Sequence, residues 1–228
     1  MSLCARLTPW LLAGALLALI ASISAAIAAH PAVVTAEAGP ATGYLVVLAA
    51  AVLAYGAITV LGMRPAASGL SEGWWCGLAC GAAWIVEVLV ANVIRPAAEP
   101  PFLWLYMTLY FGSSLVALLL PGLAGLLAAR RAGSLRAGLR AGLLCAMCGG
   151  LIIFLGTLAL SAVLIPAGYR DPQTVQEFQR SGLPDLTTYI VSDYLAGMTM
   201  HLWIGLVSGL LFGLLGGLLG QRLARPRG

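Results

Sequence analysis

The chain alternates between long apolar runs and short polar stretches, and six of the runs are about 20 residues long or longer. A bilayer core about 30 Å thick requires roughly 20 apolar residues of α-helix to cross it. The pattern therefore predicts an all-α protein, a polytopic membrane helical bundle that forms a single integral membrane domain over residues 1–228. The predicted transmembrane spans are residues 9–29, 43–63, 70–94, 102–128, 141–165 and 189–220.

Prolines and arginines between the runs predict how the spans are connected. A proline follows the first, third and fifth spans, and an arginine follows the second, fourth and sixth. These residues are Pro31, Pro96 and Pro166, and Arg64, Arg131 and Arg222. The alternation predicts three consecutive helical hairpins, with both termini on the same side of the membrane.

The longest polar stretch, residues 166–188, is predicted to be an outer loop between the fifth and sixth spans. Within it, Asp171 followed by Pro172 is typical of a helix N-cap with proline at the first helical position, and Gly182 can end a helix. These signals predict a short surface helix over residues 172–181. Such a helix could cover a pocket, and the alternative is an ordinary solvated loop.

Composition and charge support a membrane location and predict an orientation. Only 9% of the residues are charged, whereas soluble domains carry about 25%. All basic residues are arginines, and most lie on the side of the two termini, whereas most acids lie on the other side. By the positive-inside bias, both termini face the cytoplasm of a bacterial inner (plasma) membrane. The net charge of +4 then reflects topology and attraction to anionic membrane lipid, and argues against nucleic-acid binding.

The first apolar run also resembles a signal peptide. The segment "MSLCARLTPWLLAGALLALIASISAAIAAH" has a basic start, an apolar stretch and a small-residue "AIA" before Ala29. The apolar stretch is longer than the roughly 7 to 15 residues usual in a signal peptide. We therefore expect a retained first span, with cleavage as the alternative.

Two of the returning spans align without gaps and suggest an internal repeat. Met107–Arg131 aligns with Met198–Arg222, and the matches include the Met-Thr pair at the start and the arginine at the end. The two copies would have the same orientation in the membrane, unlike the inverted repeats common in secondary transporters.

Glu87 is an acid inside the third span. It shares one helical face with small residues at spacings of three and four, namely Cys76, Cys80, Ala83 and Ala91. Small faces are where membrane helices pack together, so Glu87 is predicted to point into the bundle. At 1.5 Å per residue from Arg95, it lies about 12 Å below the outer surface.

The sixth span carries a matching polar residue. Glycines repeat every fourth position at Gly205, Gly209, Gly213 and Gly217, and His201 precedes them on the same stripe. Counted from the outer boundary, His201 is also about 12 Å deep. In the repeat alignment it falls opposite Tyr110 of the fourth span.

These positions predict a polar site near the outer side of the bundle. Ionisable groups in the bilayer core are costly and are by default functional hypotheses. We expect Glu87 and His201 to form a hydrogen-bonded pair that lines an outward pocket, with Tyr110 at the same depth. Asn92 is expected to make an interhelical hydrogen bond nearby. The alternative is a neutral, hydrogen-bonded Glu87 that only joins two helices.

The cysteines suggest a second constellation. Four of them fall in the predicted inner parts of the third and fifth spans, at Cys76, Cys80, Cys145 and Cys148. Four thiolates can bind zinc or an iron–sulfur cluster, but apolar surroundings oppose the thiolate form, and cysteine also packs as a small apolar residue. We therefore expect no metal and no cofactor.

One resemblance points to an enzyme. "FGSSLVALLL", which contains Ser114, and "HLWIGLVSGLL", which begins with His201, resemble the serine and histidine helices of rhomboid intramembrane proteases. The resemblance covers two helices and implies a Ser114–His201 dyad. Three features depart from that family: the glycine lies four rather than three residues after His201, the second helix lacks the oxyanion His and Asn, and the first loop is too short for the Trp-Arg insertion.

The sequence therefore predicts a permeation or substrate-binding component for a small solute or ion, which could belong to a larger transporter. The alternative is a non-catalytic structural or assembly subunit of a membrane complex or homo-oligomer. A rhomboid-like serine protease is a distant alternative. Transport predicts water or ligand beside Glu87, whereas the subunit hypothesis predicts a dry pair and a bound partner.

Overall fold

The computed structural model describes residues 3–35, 41–62, 68–94 and 102–224, and within these ranges every regular element is helical. The elements are α1 (Leu3–Ala29), α2 (Ala32–Thr35), α3 (Ala41–Gly62), α4 (Leu70–Leu89), a π-helical turn (Val90–Ile94), α5 (Leu103–Ala132), α6 (Leu135–Ala159), α7 (Ser161–Arg170), α8 (Pro172–Ser181) and α9 (Leu186–Arg222). Three landmarks of the predicted topology lie outside the described residues: Arg64, Arg95 and Pro96.

Six of these helices are long and apolar enough to cross a membrane, which is the arrangement expected of a multi-pass membrane protein. They are α1, α3, α4 with its π-helical turn, α5, α6 and α9. For the described residues, the prediction of an all-helical protein with six apolar spans is therefore confirmed.

The fifth span and the long polar stretch differ from the prediction. The fifth span is helix α6, which begins at Leu135 and ends at Ala159. The helix is interrupted at Leu160, where φ is −87° and ψ is 2°. Residues 161–170 then form a separate helix, so the predicted span 141–165 crosses a break and the predicted loop 166–188 is mostly helical. The apolar run continues through Leu160, so hydropathy alone does not reveal the break.

The short helix predicted over residues 172–181 is confirmed as α8. The Asp171 carboxylate accepts hydrogen bonds from the backbone N–H groups of Gln173 and Thr174, and Gly182 ends the helix with a φ of 71°. The next helix has a similar cap, because the Thr188 N–H and hydroxyl donate to Asp185. These hydrogen bonds hold the pKa of the Asp185 carboxyl below its ordinary value.

Helix α6 is the centre of the bundle. Residues buried inside the protein make up 72% of its most apolar window, against 17% for α1. Glycines bring α4 and α9 into close contact with α6. Helix α5 contacts all three of these helices, α4, α6 and α9. The contacts to α4 pair Gly73 with Ala141, Gly77 with Cys145 and Cys148, and Gly81 with Ile152. The contacts to α9 pair Gly209 with Ala146, Gly213 with Gly142, and Gly217 with Gly138. Helix α4 therefore runs parallel to α6, and α9 runs antiparallel to it.

The predicted role of the α9 glycine stripe in close helix packing is thus confirmed. The second stripe, Gly73, Gly77 and Gly81 on α4, also repeats every fourth residue and gives the same signal, but it had not been recognised from the sequence.

Helices α1 and α3 lie at the periphery, and a buried tyrosine of α3 makes one of the hydrogen bonds that join α3 to α9. The Tyr55 hydroxyl donates a hydrogen bond to the Leu202 carbonyl of α9 at 3.2 Å, and Tyr55 is 1% exposed. We expect Tyr55→Phe to lower stability by about 1 kcal/mol, because the carbonyl loses a buried donor. Thermal unfolding in mild detergent would measure it, and the exposed Tyr44→Phe serves as control. Equal losses in the two variants would contradict the assigned role of the Tyr55 hydroxyl.

Charge divides the two ends of the bundle. Arg130, Arg131 and Gln221 lie together at one end, which we call the basic end, where Arg131 pairs with Glu72 at 2.5 Å. The opposite end, which we call the acidic end, holds α8, the N-terminus of α9 and Asp193.

Candidate functional site

The residues predicted to form a polar site line one cavity near the acidic end. The cavity has a volume of about 170 Å³. We call it the Glu87–His201 cavity, and its lining comprises Glu87, Val88, Ala91, Asn92, Tyr110, Asp193, Tyr194, Gly197, Met198 and His201. The four predicted binding residues, from α4, its π-helical turn, α5 and α9, are therefore brought together.

Glu87 and His201 face each other across the cavity. The Oε1 atom of Glu87 lies 3.7 Å from the Nε2 atom of His201, and the two side chains are 13% and 18% exposed, respectively. This distance suits an ion pair but is too long for a hydrogen bond. The prediction of a directly hydrogen-bonded pair is therefore wrong, since the ring of His201 is held elsewhere.

Two contacts hold the His201 ring. Its Nδ1 atom lies 2.8 Å from the Gly197 carbonyl one turn earlier on α9, and its face meets the Trp84 ring edge-on with centroids 5.4 Å apart. A carbonyl oxygen only accepts, so Nδ1 carries a proton and Nε2 is the nitrogen presented to Glu87. Trp84 is 2% exposed and lies about one turn before Glu87 on α4, next to the cavity lining but not part of it.

Asn92 lines the cavity but does not join two helices. Its Nδ2 atom donates to the Val88 carbonyl of its own helix at 2.8 Å, so the prediction of an interhelical hydrogen bond is wrong. Asn92 lies in the π-helical turn over Val90–Ile94. Such turns are rare and often occur at functional sites. The local bond uses the amide N–H₂ and leaves the carbonyl oxygen of Asn92 as an acceptor.

Asp193 and Tyr194 belong to the cavity and had been missed. Asp193 is exposed, whereas the Tyr194 hydroxyl donates to the Leu164 carbonyl at 3.1 Å. Counting back from Gly205 in steps of four gives His201, Gly197 and Asp193, so the glycine stripe continues as the α9 wall of the cavity. That periodicity is the signal in the sequence that could have placed Asp193 in the cavity.

The serine and histidine implied by the rhomboid resemblance are not paired. The Ser114 hydroxyl donates to the Tyr110 carbonyl of its own helix at 2.9 Å, and Ser114 does not line the cavity. His201 presents Nε2 to Glu87 instead. In this structure both side chains are thus engaged with other groups instead of with each other.

The four cysteines in α4 and α6 are buried free thiols. Cys80 donates to the Ala117 carbonyl of α5 at 3.4 Å, and the Cβ of Cys148 packs against Gly77. Within the described ranges, no three His, Cys, Asp or Glu side chains are grouped closely enough to hold a metal ion. These thiols therefore act as small packing residues between helices.

Comparison with known proteins leaves the site to be judged on its geometry. No protein-family model, curated protein or solved structure matches the chain. What the fold and the site define is a class: an all-helical protein with six apolar spans and one cavity where an acid, an imidazole, an amide and a phenol converge.

Proposed function

We propose that this chain is a multi-pass protein of a bacterial inner membrane that binds a small solute or ion in the Glu87–His201 cavity. It would serve permeation, or capture as the substrate-binding component of a larger transporter. The observation that supports this most is the convergence of Glu87, Asn92, Tyr110 and His201 on one cavity. A concave space with a few converging polar groups is the usual form of a small-molecule site.

The proposed orientation places the acidic end outside and the basic end in the cytoplasm. Arg130, Arg131 and Arg222 then obey the positive-inside bias, and the spans form three consecutive hairpins with both termini cytoplasmic. Asp193 lies at the outer mouth of the cavity, and Trp84 lies on its inner side. This arrangement favours loading from outside.

The size of the cavity limits what it can bind. Pockets for drug-sized ligands begin at about 300 Å³, whereas this cavity measures about 170 Å³. An ion with a few waters, or a solute of a few heavy atoms, fits this space. A peptide segment or a whole lipid molecule does not fit.

The geometry of the polar pair argues against a purely structural role. The Glu87 carboxylate lies 3.7 Å from the Nε2 atom of His201, which is longer than a hydrogen bond. Asn92 and His201 each bond to their own helix. A site built to join helices in an assembly subunit would instead satisfy its carboxylate with donors from a neighbouring helix.

The proposal is tested by comparing how well wild type and the Glu87→Gln variant retain and conduct small labelled probes. We expect wild type in proteoliposomes to retain or conduct at least one of labelled sodium, methylammonium and urea, and Glu87→Gln to do so about tenfold to a hundredfold less. The loss corresponds to one hydrogen-bonding interaction with a charged group, worth about 1.5–3 kcal/mol.

Two variants control this measurement. Glu72→Gln makes the same chemical change at the basic end, outside the cavity, and Ser114→Ala removes the hydroxyl implied by the protease resemblance. Both are expected to behave like wild type. A Glu87→Gln protein that retains and conducts every probe like wild type would contradict the proposed function.

A further inference from the structure

The Glu87–His201 pair is built to carry one exchangeable proton. Because Nδ1 of His201 is committed to the Gly197 carbonyl at 2.8 Å, only Nε2 and the Glu87 carboxylate can gain or lose a proton between them. With one proton on either group the pair is neutral. Without it the pair carries one negative charge inside an apolar bundle, which is unfavourable unless another cation replaces the proton.

Further negative charge surrounds the mouth of the cavity. Asp193 lies two turns from His201 on the same face of α9, about 12 Å along the helix axis. One turn further out, the Tyr189 hydroxyl donates to Glu177 of α8 at 2.9 Å and holds that carboxylate on the same face. Within the described ranges no arginine lies within 4 Å of Asp193 or Glu177. A path lined by acids concentrates cations and repels anions.

The groups that face the cavity supply oxygen ligands. They are the carboxylates of Glu87 and Asp193, the side-chain carbonyl of Asn92 and the phenol of Tyr110. Oxygen ligands suit hard metal cations, and the same oxygens accept hydrogen bonds from ammonium groups. Among the described residues, no group of three His, Cys, Asp or Glu side chains is close enough to hold a metal ion, which disfavours a tightly bound divalent metal.

We propose that the Glu87–His201 cavity binds a small monovalent cation in exchange for the proton shared by Glu87 and His201. This inference rests on the proposed function and names its substrate class. The exchange is balanced: one cation enters, one proton leaves to water, and the net charge of the site is unchanged. The titratable groups that face the exchanging pair are Asp193 and Tyr194 on α9 and Tyr110 on α5.

The experiment measures protons released when cations are added to purified full-length protein in weakly buffered detergent near neutral pH. Sodium chloride and methylammonium chloride are the two probes and distinguish an alkali cation from an ammonium ion. N-methyl-D-glucamine chloride at equal ionic strength is the control, because its cation is too large for the cavity. We expect about one proton to be released per chain at saturation. The apparent Kd for the cation should fall about tenfold for each unit by which the pH is raised, as one-for-one exchange requires.

A spectroscopic measurement assigns the proton. The chain has only two histidines, so His30→Gln leaves His201 as the single imidazole for ¹⁵N NMR. We expect the bound cation to shift the Nε2 signal of His201 and to leave Nδ1 protonated. Glu87→Gln should abolish proton release, and Glu72→Gln should preserve it.

The outcomes separate this inference from the function on which it rests. Urea retention without any cation effect, or pH-independent cation binding without proton release, would overturn the exchange while the binding function stands. If no probe is retained or conducted by wild type, the proposed function fails and the exchange fails with it. Release of one proton by either cation, lost in Glu87→Gln, supports both.

Discussion

Gly142→Ala is expected to destabilise the bundle by about 3 kcal/mol or more, at or beyond the upper end of the range for overpacked cores. A Cβ at Gly142 would lie 2.4 Å from the Gly213 Cα, 3.0 Å from the Gly209 carbonyl oxygen and 3.1 Å from the Pro121 carbonyl oxygen. All three contacts are backbone atoms of α9 and α5, so no side chain can move to relieve the clash. The central helix would have to separate from two neighbours at once.

The control substitutions make the same chemical change where space is open. Gly56 and Gly112 have no heavy atom within 4 Å of an added Cβ. Alanine has a higher helix propensity than glycine. Gly56→Ala and Gly112→Ala should therefore be neutral or stabilising by about 0.5–1 kcal/mol. Unfolding of each variant in mixed detergent micelles measures the differences, and equal stability of Gly142→Ala and Gly112→Ala would refute the packing assigned to α6.

Glu87→Met is expected to raise the stability of the fold by on the order of 1–3 kcal/mol while abolishing binding. An ionisable side chain in the middle of a membrane helix is costly, and replacing buried charged groups by apolar ones of similar size is often stabilising. The contact between the Glu87 carboxylate and His201, at 3.7 Å, is longer than a hydrogen bond. Methionine matches the length of glutamate and adapts to the available space. His201 would stay neutral and keep its hydrogen bond to the Gly197 carbonyl.

The same substitution at Glu72 should have the opposite sign. Glu72 pairs with Arg131 at 2.5 Å and accepts a hydrogen bond from Ser71, so Glu72→Met should lose up to about 1 kcal/mol, as expected for a partly exposed ion pair. Thermal unfolding of both variants in one detergent compares them directly. A lower melting temperature for Glu87→Met than for wild type would mean that the carboxylate holds α4 and α9 together, and would favour the assembly-subunit alternative.

Single-helix features of the fold and the site could be predicted from the sequence. The six spans follow from hydropathy and length, α8 from its Asp-Pro start and glycine end, and the α9 glycine stripe from a spacing of four. Counting residues from the span ends also placed Glu87, Tyr110 and His201 at one depth. Each of these conclusions depends only on helical geometry within one segment.

The conformations of individual polar side chains and the helix ends inside apolar runs could not be predicted in the same way. Hydropathy gives no reason for Nδ1 of His201 to bond to Gly197, for Asn92 to bond to Val88 in a π-helical turn, or for the chain to break at Leu160. Which atom of a polar side chain is free depends on the rotation of its helix against the neighbours. For that reason the predicted pair is correct in its residues and wrong in its hydrogen bond.

The sequence by itself determined the class of this protein, its six apolar helices and the polar residues that share a depth. Only the tertiary structure decided that α6 is the central helix, that Asp193 and Tyr194 complete the cavity, and that Nε2 of His201 faces Glu87 without a direct hydrogen bond. The physical reason is that all faces of these helices are apolar, so burial does not select their partners. Close packing of glycines on several helices at once selects them, and that packing exists only in the assembled bundle.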